Sequence, residues 1–217
     1  MLKIDVDEKL PNEAKMKILH NLGAVLSVAC MVGFYHAGIS STNASAPTDN
    51  TYDNFLTLED HRMLAEQEAE QFVAELGEDQ LHCLAKNIFF ESRGEPLEGQ
   101  IAVAWVTLNR VESERYPDTI CGVVRQANRD SEGNIIRHQC QFSWYCDGRS
   151  DAIPSNSGAQ QAWRNSQDVA EAVLMAYAAG EPSPVEDAIM FHADWVNPYW
   201  AEDYTHVDTI GVHLFYR

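Results

Sequence analysis

The stretch from Glu98 to Val111, EGQIAVAWVTLNRV, is apolar over the length of a helix and meets no breaker after Gly99. A helix that is apolar around most of its circumference cannot lie on a surface, so other elements must close around it on every side. The consequence for the fold is strict: the chain has to build a globular core with this helix at its centre. Its 217 residues, 45% of them apolar and including five Trp, eight Tyr and eight Phe, suffice for one such domain plus an appendage.

The flanking sequence supplies the surrounding elements. Asp79 is positioned to cap a helix carrying Leu81, Leu84, Ala85 and Ile88 at helical spacing, and Gly94 with Pro96 stops it just beyond Glu91. Upstream, Thr57 followed by Asp60 forms an N-cap signature for a polar linking helix over 57–76, which Gly77 ends. Gln160 to Ala179 is a further predicted helix, closed by Gly180 and Pro182. Asp118 to Trp144 mixes Gly, Asn and short β-prone runs, among them Gln141 to Tyr145, and predicts loops with a small sheet. The expected class is α+β with helices dominant and one small β element.

The N-terminal part is of another kind. Leu22 to Tyr35 (LGAVLSVACMVGFY) has no charge, Lys15 and Lys17 precede it, and Asp49 and Asp53 come after it. That order of charges fits a signal anchor or signal peptide, with the downstream residues exported. Pro47 after Ala44-Ser45-Ala46 disfavours cleavage there, so an uncleaved anchor is expected. The organisation read from the chain is therefore 1–39 cytoplasmic N-terminus and anchor, 40–56 a Ser/Thr/Asn-rich tether, 57–76 a linking helix and 77–217 the main domain. Membrane contact is expected through the N-terminal segment only.

Fifteen Lys and Arg against thirty-three Asp and Glu give a net charge of −18, which excludes a surface built to collect phosphates, and with it nucleic-acid binding. Setting Cys30 aside in the apolar run leaves Cys83, Cys121, Cys140 and Cys146, an even number in an exported domain. Two disulfides are expected, in any of three pairings. The Cys140/Cys146 spacing is too wide for a structural zinc site even with His138 or His192 added, so neither metal nor cofactor is called for. His192 and His213, in apolar surroundings, read as hydrogen-bonded structural residues.

Glu91 is the candidate for chemistry. It comes directly after Phe89 and Phe90 in the last turn of its helix, where burial and the negative helix end both disfavour the carboxylate. A Glu held protonated near neutral pH can donate to a glycosidic oxygen. Arg93 would oppose that shift if its guanidinium approached. Glu95 and Glu98 read as loop solvation.

Glu91-Ser92-Arg93-Gly94-Glu95-Pro96, Gly99 to Ala104, Leu108-Asn109-Arg110-Val111, Gln141-Phe142-Ser143, Ala188 to His192 and Ile210 to Phe215 together resemble the SleB-like cell-wall hydrolase family, over about residues 80–217. The resemblance implies a lysozyme-like, lytic-transglycosylase-like domain acting on the glycan strands of peptidoglycan. Glu91 takes the place of the family's acid, the first Glu of its E-A-R-G-E motif, with Ser92 where Ala is usual. The family's role in spores is not carried over, because the cysteines and the apolar N-terminal run look more like envelope enzymes of Gram-negative bacteria or their phages. That places the domain in the cell envelope, facing the periplasm.

A retaining hydrolase needs a second carboxyl about 5 to 5.5 Å from the first, and an inverting one about 6.5 to 9.5 Å away. No second acid stands in a motif. A lytic transglycosylase needs one Glu, which protonates the β-1,4 oxygen between N-acetylmuramic acid and N-acetylglucosamine and then deprotonates the C6 hydroxyl that closes the 1,6-anhydro ring. Ser92, Asn109, Gln141, Phe142, Tyr145, Trp195 and Trp200 are candidate substrate-binding residues. Asn109 and Arg110 are placed to support Glu91, while a core position competes for Phe142 and holds for Trp105. The alternatives are a catalytically silent glycan-binding envelope protein, a muramidase-type hydrolase, and a cysteine amidase using Cys140 with His138 or His192.

Overall fold

The computed structural model describes residues 56–217. The anchor, most of the tether and Cys30 lie outside them; among the described residues no helix is long and apolar enough to cross a membrane. In chain order the elements are α1 (Leu58–Leu76), α2 (Glu78–Ser92), α3 (Leu97–Glu112), α4 (Ile120–Val124), β1 (Ala127–Arg129), β2 (Ile135–Cys140), a 3-10 turn (Ser143–Cys146), α5 (Ser157–Ala178), β3 (Met190–Ala193), a second 3-10 turn (Tyr199–Asp203), β4 (His206–Ile210) and β5 (His213–Tyr216). The architecture is α+β and helix-dominated.

Helix α3 is the centre the sequence demands. Every residue from Ala102 to Leu108 is buried, as are Arg110 and Val111. Helices α2, α4 and α5 pack around it. Along α2, Leu84, Ala85, Ile88 and Phe89 form the inward face, and Ala170, Val173 and Leu174 do so on α5. Helix α1 lies on α5 with Ala69 alone fully buried and Phe72 against Tyr177. Its Thr57/Asp60 capping box forms as expected.

Two small antiparallel sheets complete the domain. One is the β1–β2 hairpin; the other has the order β3-β5-β4, with Phe191 opposite Phe215 and His192 opposite Leu214. The cysteines pair Cys83–Cys121, stapling α2 to α4, and Cys140–Cys146, clipping the hairpin to the 3-10 turn. A sulfur held in a disulfide is not a nucleophile, so the cysteine-amidase alternative falls.

Three local expectations are corrected. Helix α2 starts at Glu78, one residue before the expected Asp79 cap, because Gly77 at φ 88° turns the backbone. Helix α5 begins at Ser157, three residues earlier than its apolar pattern suggests, since the Asn156 side chain accepts from Ala159 N and caps it. Gln141 to Tyr145 is not a strand. Phe142 and Trp144 both turn inward, which a pleated strand permits, but Cys146 is tied back to Cys140 and the backbone coils into a 3-10 turn instead.

Candidate active site

Glu91 sits in the last turn of α2, after Phe89 and Phe90, as the sequence predicts. It is partly buried: some of its surface is open to a substrate, yet enough protein surrounds the carboxyl to push its pKa from the ordinary 4.5 up to about 7. The guanidinium of Arg110 acts in the opposite direction, and no second carboxylate is among the charges that act on it. Arg93, the residue expected to oppose the shift, is turned away. Its Nη1 donates to the Phe89 carbonyl at 3.1 Å and its guanidinium lies over the Phe89 ring.

Arg110 comes from the end of α3 and is 3% exposed. Its Nε donates to the Ile189 carbonyl at 2.7 Å, and its guanidinium is flanked by the rings of Phe142 at 4.8 Å and Tyr116 at 5.2 Å. Nη1 is buried without a hydrogen-bond partner. Tyr204 also contributes to the field at this guanidinium, and its hydroxyl accepts from Arg115 at 2.7 Å. The acid therefore faces a buried cation held between aromatic rings.

The segment carrying Glu91 is fixed from behind. Phe90 stacks on Trp144 at 4.7 Å. Trp144 Nε1 donates to Asn87 Oδ1, and Asn87 Nδ2 donates to Thr107 Oγ1, whose own proton goes to the Val103 carbonyl. This buried chain of donors locks α2, α3 and the clipped 3-10 turn together immediately beside the acid.

Glu95 is not a solvating loop residue. Its Oε2 accepts from Val212 N at 2.9 Å, joining the loop after α2 to the β4–β5 turn. Two glycines make room for it: a Cβ on Gly99 would stand 3.1 Å from Glu95 Cβ, and one on Gly211 would collide with Glu95 Oε2. Gly211 also has φ +60°. Gly211→Ala is expected to destabilise the domain by about 1–3 kcal/mol through strain and displacement of Glu95, read as a lower midpoint in urea. An unchanged midpoint would show that the clasp carries no weight. Glu98 is exposed, as expected.

The expected substrate-binding residues separate into two groups. Ser92 is buried with its hydroxyl donated to the Ile88 carbonyl, and Asn109 Nδ2 donates to the carbonyls of Glu186 and Ala188. Phe142 is buried beneath Arg110. Ser92 and Phe142 are too buried for a sugar contact and act as supports, while Asn109 stays partly exposed with its amide donors engaged by protein. Gln141 is exposed, Tyr145 is half-buried edge-on to Trp144, Trp195 is exposed, and Trp200 is half-buried among His192, Tyr204 and Tyr216.

His192 is structural, bonded through both ring nitrogens to the Ala193 carbonyl and the Tyr216 hydroxyl. His213 departs from expectation: it is packed edge-on against Phe191, its Nδ1 has no partner, and burial holds its pKa down. Tyr116 and Tyr204 carry no local signal of a role, because only tertiary contacts bring them to the site; Glu95 shares the motif of Glu91, but its partner Val212 is 117 positions away. Among the described residues no group of His, Cys, Asp and Glu could hold a metal ion. Two surface depressions of about 470 and 590 Å³ lie by α2 and by the start of α3, and Glu91 lines neither.

Residues 94–216 match the model of the Cell Wall Hydrolase family. The chain belongs to that family. Glu91 stands three positions before the matched range, while Glu95, Arg110 and Gly211 fall within it. The chain is 31% identical over 139 residues to a spore cortex-lytic enzyme of Oceanobacillus iheyensis, covering 64% of this chain and 41% of that protein. It is 29% identical to the spore cortex-lytic enzyme of Bacillus subtilis, covering 62% and 36%. The chain thus spans about two fifths of the length of these curated relatives. Among solved structures it is similar to the catalytic domain of the germination-specific lytic transglycosylase SleB from Bacillus anthracis, with 26% identity, a TM-score of 0.45, and coverage of 65% of this chain and 96% of that one.

Proposed function

We propose that this cell wall hydrolase domain cleaves the β-1,4 bond between N-acetylmuramic acid and N-acetylglucosamine in peptidoglycan, as a lytic transglycosylase with Glu91 as its one catalytic group. The observation that carries this reading is the state of Glu91: a carboxyl poised at about pH 7, partly open, with a buried cation and no second carboxylate acting on it. Poised there, it is protonated often enough to donate to the glycosidic oxygen, and its conjugate base is strong enough to take the C6 hydroxyl proton. Attack by that hydroxyl is intramolecular and gains from high effective molarity.

Arg110 has a definite part in the second half of this cycle. Once Glu91 has given up its proton, the guanidinium steadies the carboxylate that remains, and proton recovery from the C6 hydroxyl resets both groups. Gln141, Tyr145, Trp195 and Trp200 are proposed to meet the sugars, and the apolar run from Leu22 to Tyr35 to hold the enzyme at the envelope membrane.

The test is a mass spectrum of the soluble muropeptides released from purified sacculi. An anhydro product is lighter than its hydrolysed counterpart by one water. The expected result is anhydro ends on every released strand; hydrated ends would make the enzyme a muramidase-type hydrolase with a second, water-activating group.

A further inference from the structure

The loop joining β3 to β4 leaves large apolar side chains in solvent: Trp195 is 72% exposed and Tyr199 is 93% exposed, with Val196 between them also open. An aromatic ring left in water forgoes a large burial gain, so two on one short loop mark a surface that a ligand covers.

The loop holds them out on a fixed frame. Asp194 N donates to the Val212 carbonyl at 2.8 Å, Val196 N to Ala193 at 3.1 Å and Ala201 N to Pro198 at 3.0 Å. Trp200, the next residue after Tyr199, packs edge-on against His192, Tyr204 and Tyr216. One aromatic residue therefore pins the loop inward while its two neighbours point away.

The loop leads toward the candidate active site: Trp200 packs edge-on against Tyr204, whose hydroxyl accepts from Arg115, and both Tyr204 and Glu91 contribute to the field at Arg110. Asp194, Glu202 and Asp203 on the same segment are exposed carboxylates, which repel phosphate headgroups and disfavour an anionic lipid surface. A ligand with flat apolar faces and hydroxylated edges suits the combination of two exposed rings and a phenol hydroxyl. The C–H faces of pyranose rings have that character.

We propose that Trp195 and Tyr199 form a stacking platform for amino-sugar rings of the glycan strand at positions away from the scissile bond, so that the enzyme grips polymer rather than fragments. The proposal rests on the glycan reading of the site and adds to it where, and by which side chains, the strand is held.

The test is co-sedimentation of the full chain with purified sacculi, in a Glu91→Gln background so that binding is measured without cleavage. Replacing both rings with Ala is expected to raise Kd about tenfold or more, the loss of two aromatic contacts. Trp195→Phe with Tyr199→Phe keeps the rings and is expected to bind within about threefold of the parent. Equal binding by the Ala pair and its parent would overturn the platform, as would a Phe pair as weak as the Ala pair. Loss of binding to anionic phospholipid vesicles by the Ala pair, with sacculus binding retained, would identify the patch as a lipid surface and overturn it too. Turnover by the chain with native Glu91 is scored separately: its absence would remove the catalytic reading, while the binding comparison still decides the platform.

Discussion

Glu91→Gln is expected to lower turnover of sacculi by about 10² to 10⁴-fold, the usual range for losing a general acid, while raising stability in alkaline solution. Both effects come from the same carboxyl. Burial raises its pKa from 4.5 to about 7, so the folded chain binds this proton more tightly than the unfolded chain. The resulting stability is complete below pH 4.5 and is lost as pH rises through about 7. Gln cannot ionise and escapes that loss, so thermal melts of variant and wild type should coincide below about pH 4.5, draw apart between 4.5 and about 7, and stay apart above it. The separation approaches about 3 kcal/mol at most. For the same reason kcat/KM of the wild type should fall as pH rises through about 7. Turnover above about a tenth of wild type would remove Glu91 from its role as acid.

The second large effect concerns the disulfides, which differ in how much of the chain they close. Cys83–Cys121 spans a sequence separation of 38 and Cys140–Cys146 one of 6. By the chain-entropy relation the first is worth about 4 kcal/mol and the second about 2. Replacing Cys83 and Cys121 together with Ala should therefore cost about a thousandfold in the folding equilibrium, and replacing Cys140 and Cys146 markedly less. Urea unfolding of the two double variants, scored against the oxidised parent, measures this. The reverse order of midpoints would mean that the hairpin clip, not the α2–α4 staple, carries the stability. Alkylation of unreduced protein recovered from the envelope should leave all four thiols unmodified.

What can be read from the sequence is what local chemistry determines. The apolar run of α3 has one way to satisfy itself, which is burial, and Phe89 and Phe90 place an apolar wall beside Glu91 whatever else the chain does. The Thr57 cap and the stop after Ser92 are likewise local. Interactions made across the chain are not legible in the same way. Arg93 is two residues from Glu91 and has the charge to oppose it, but helix geometry sends its guanidinium back over Phe89, and the charge that reaches the acid comes from Arg110 on the next helix. Ser92 and Asn109 have the side chains of sugar binders, yet nearby backbone carbonyls take their donors first. Glu95 reads as solvated because its partner is the Val212 amide, far along the chain.

That last contact joins residues 117 positions apart, and it orders events in time. Pairings across such a stretch are entropically expensive and close late. A ribosome delivers α2 and its acid long before it delivers the Gly211 turn that clasps the adjoining loop. During that interval the chain holds Glu91 on an unfinished frame, without the strands that bring Tyr204 and Ile189 up to Arg110. The frame around Glu91 is thus completed only after the chain beyond residue 212 has emerged, a delay written into the order of the chain itself.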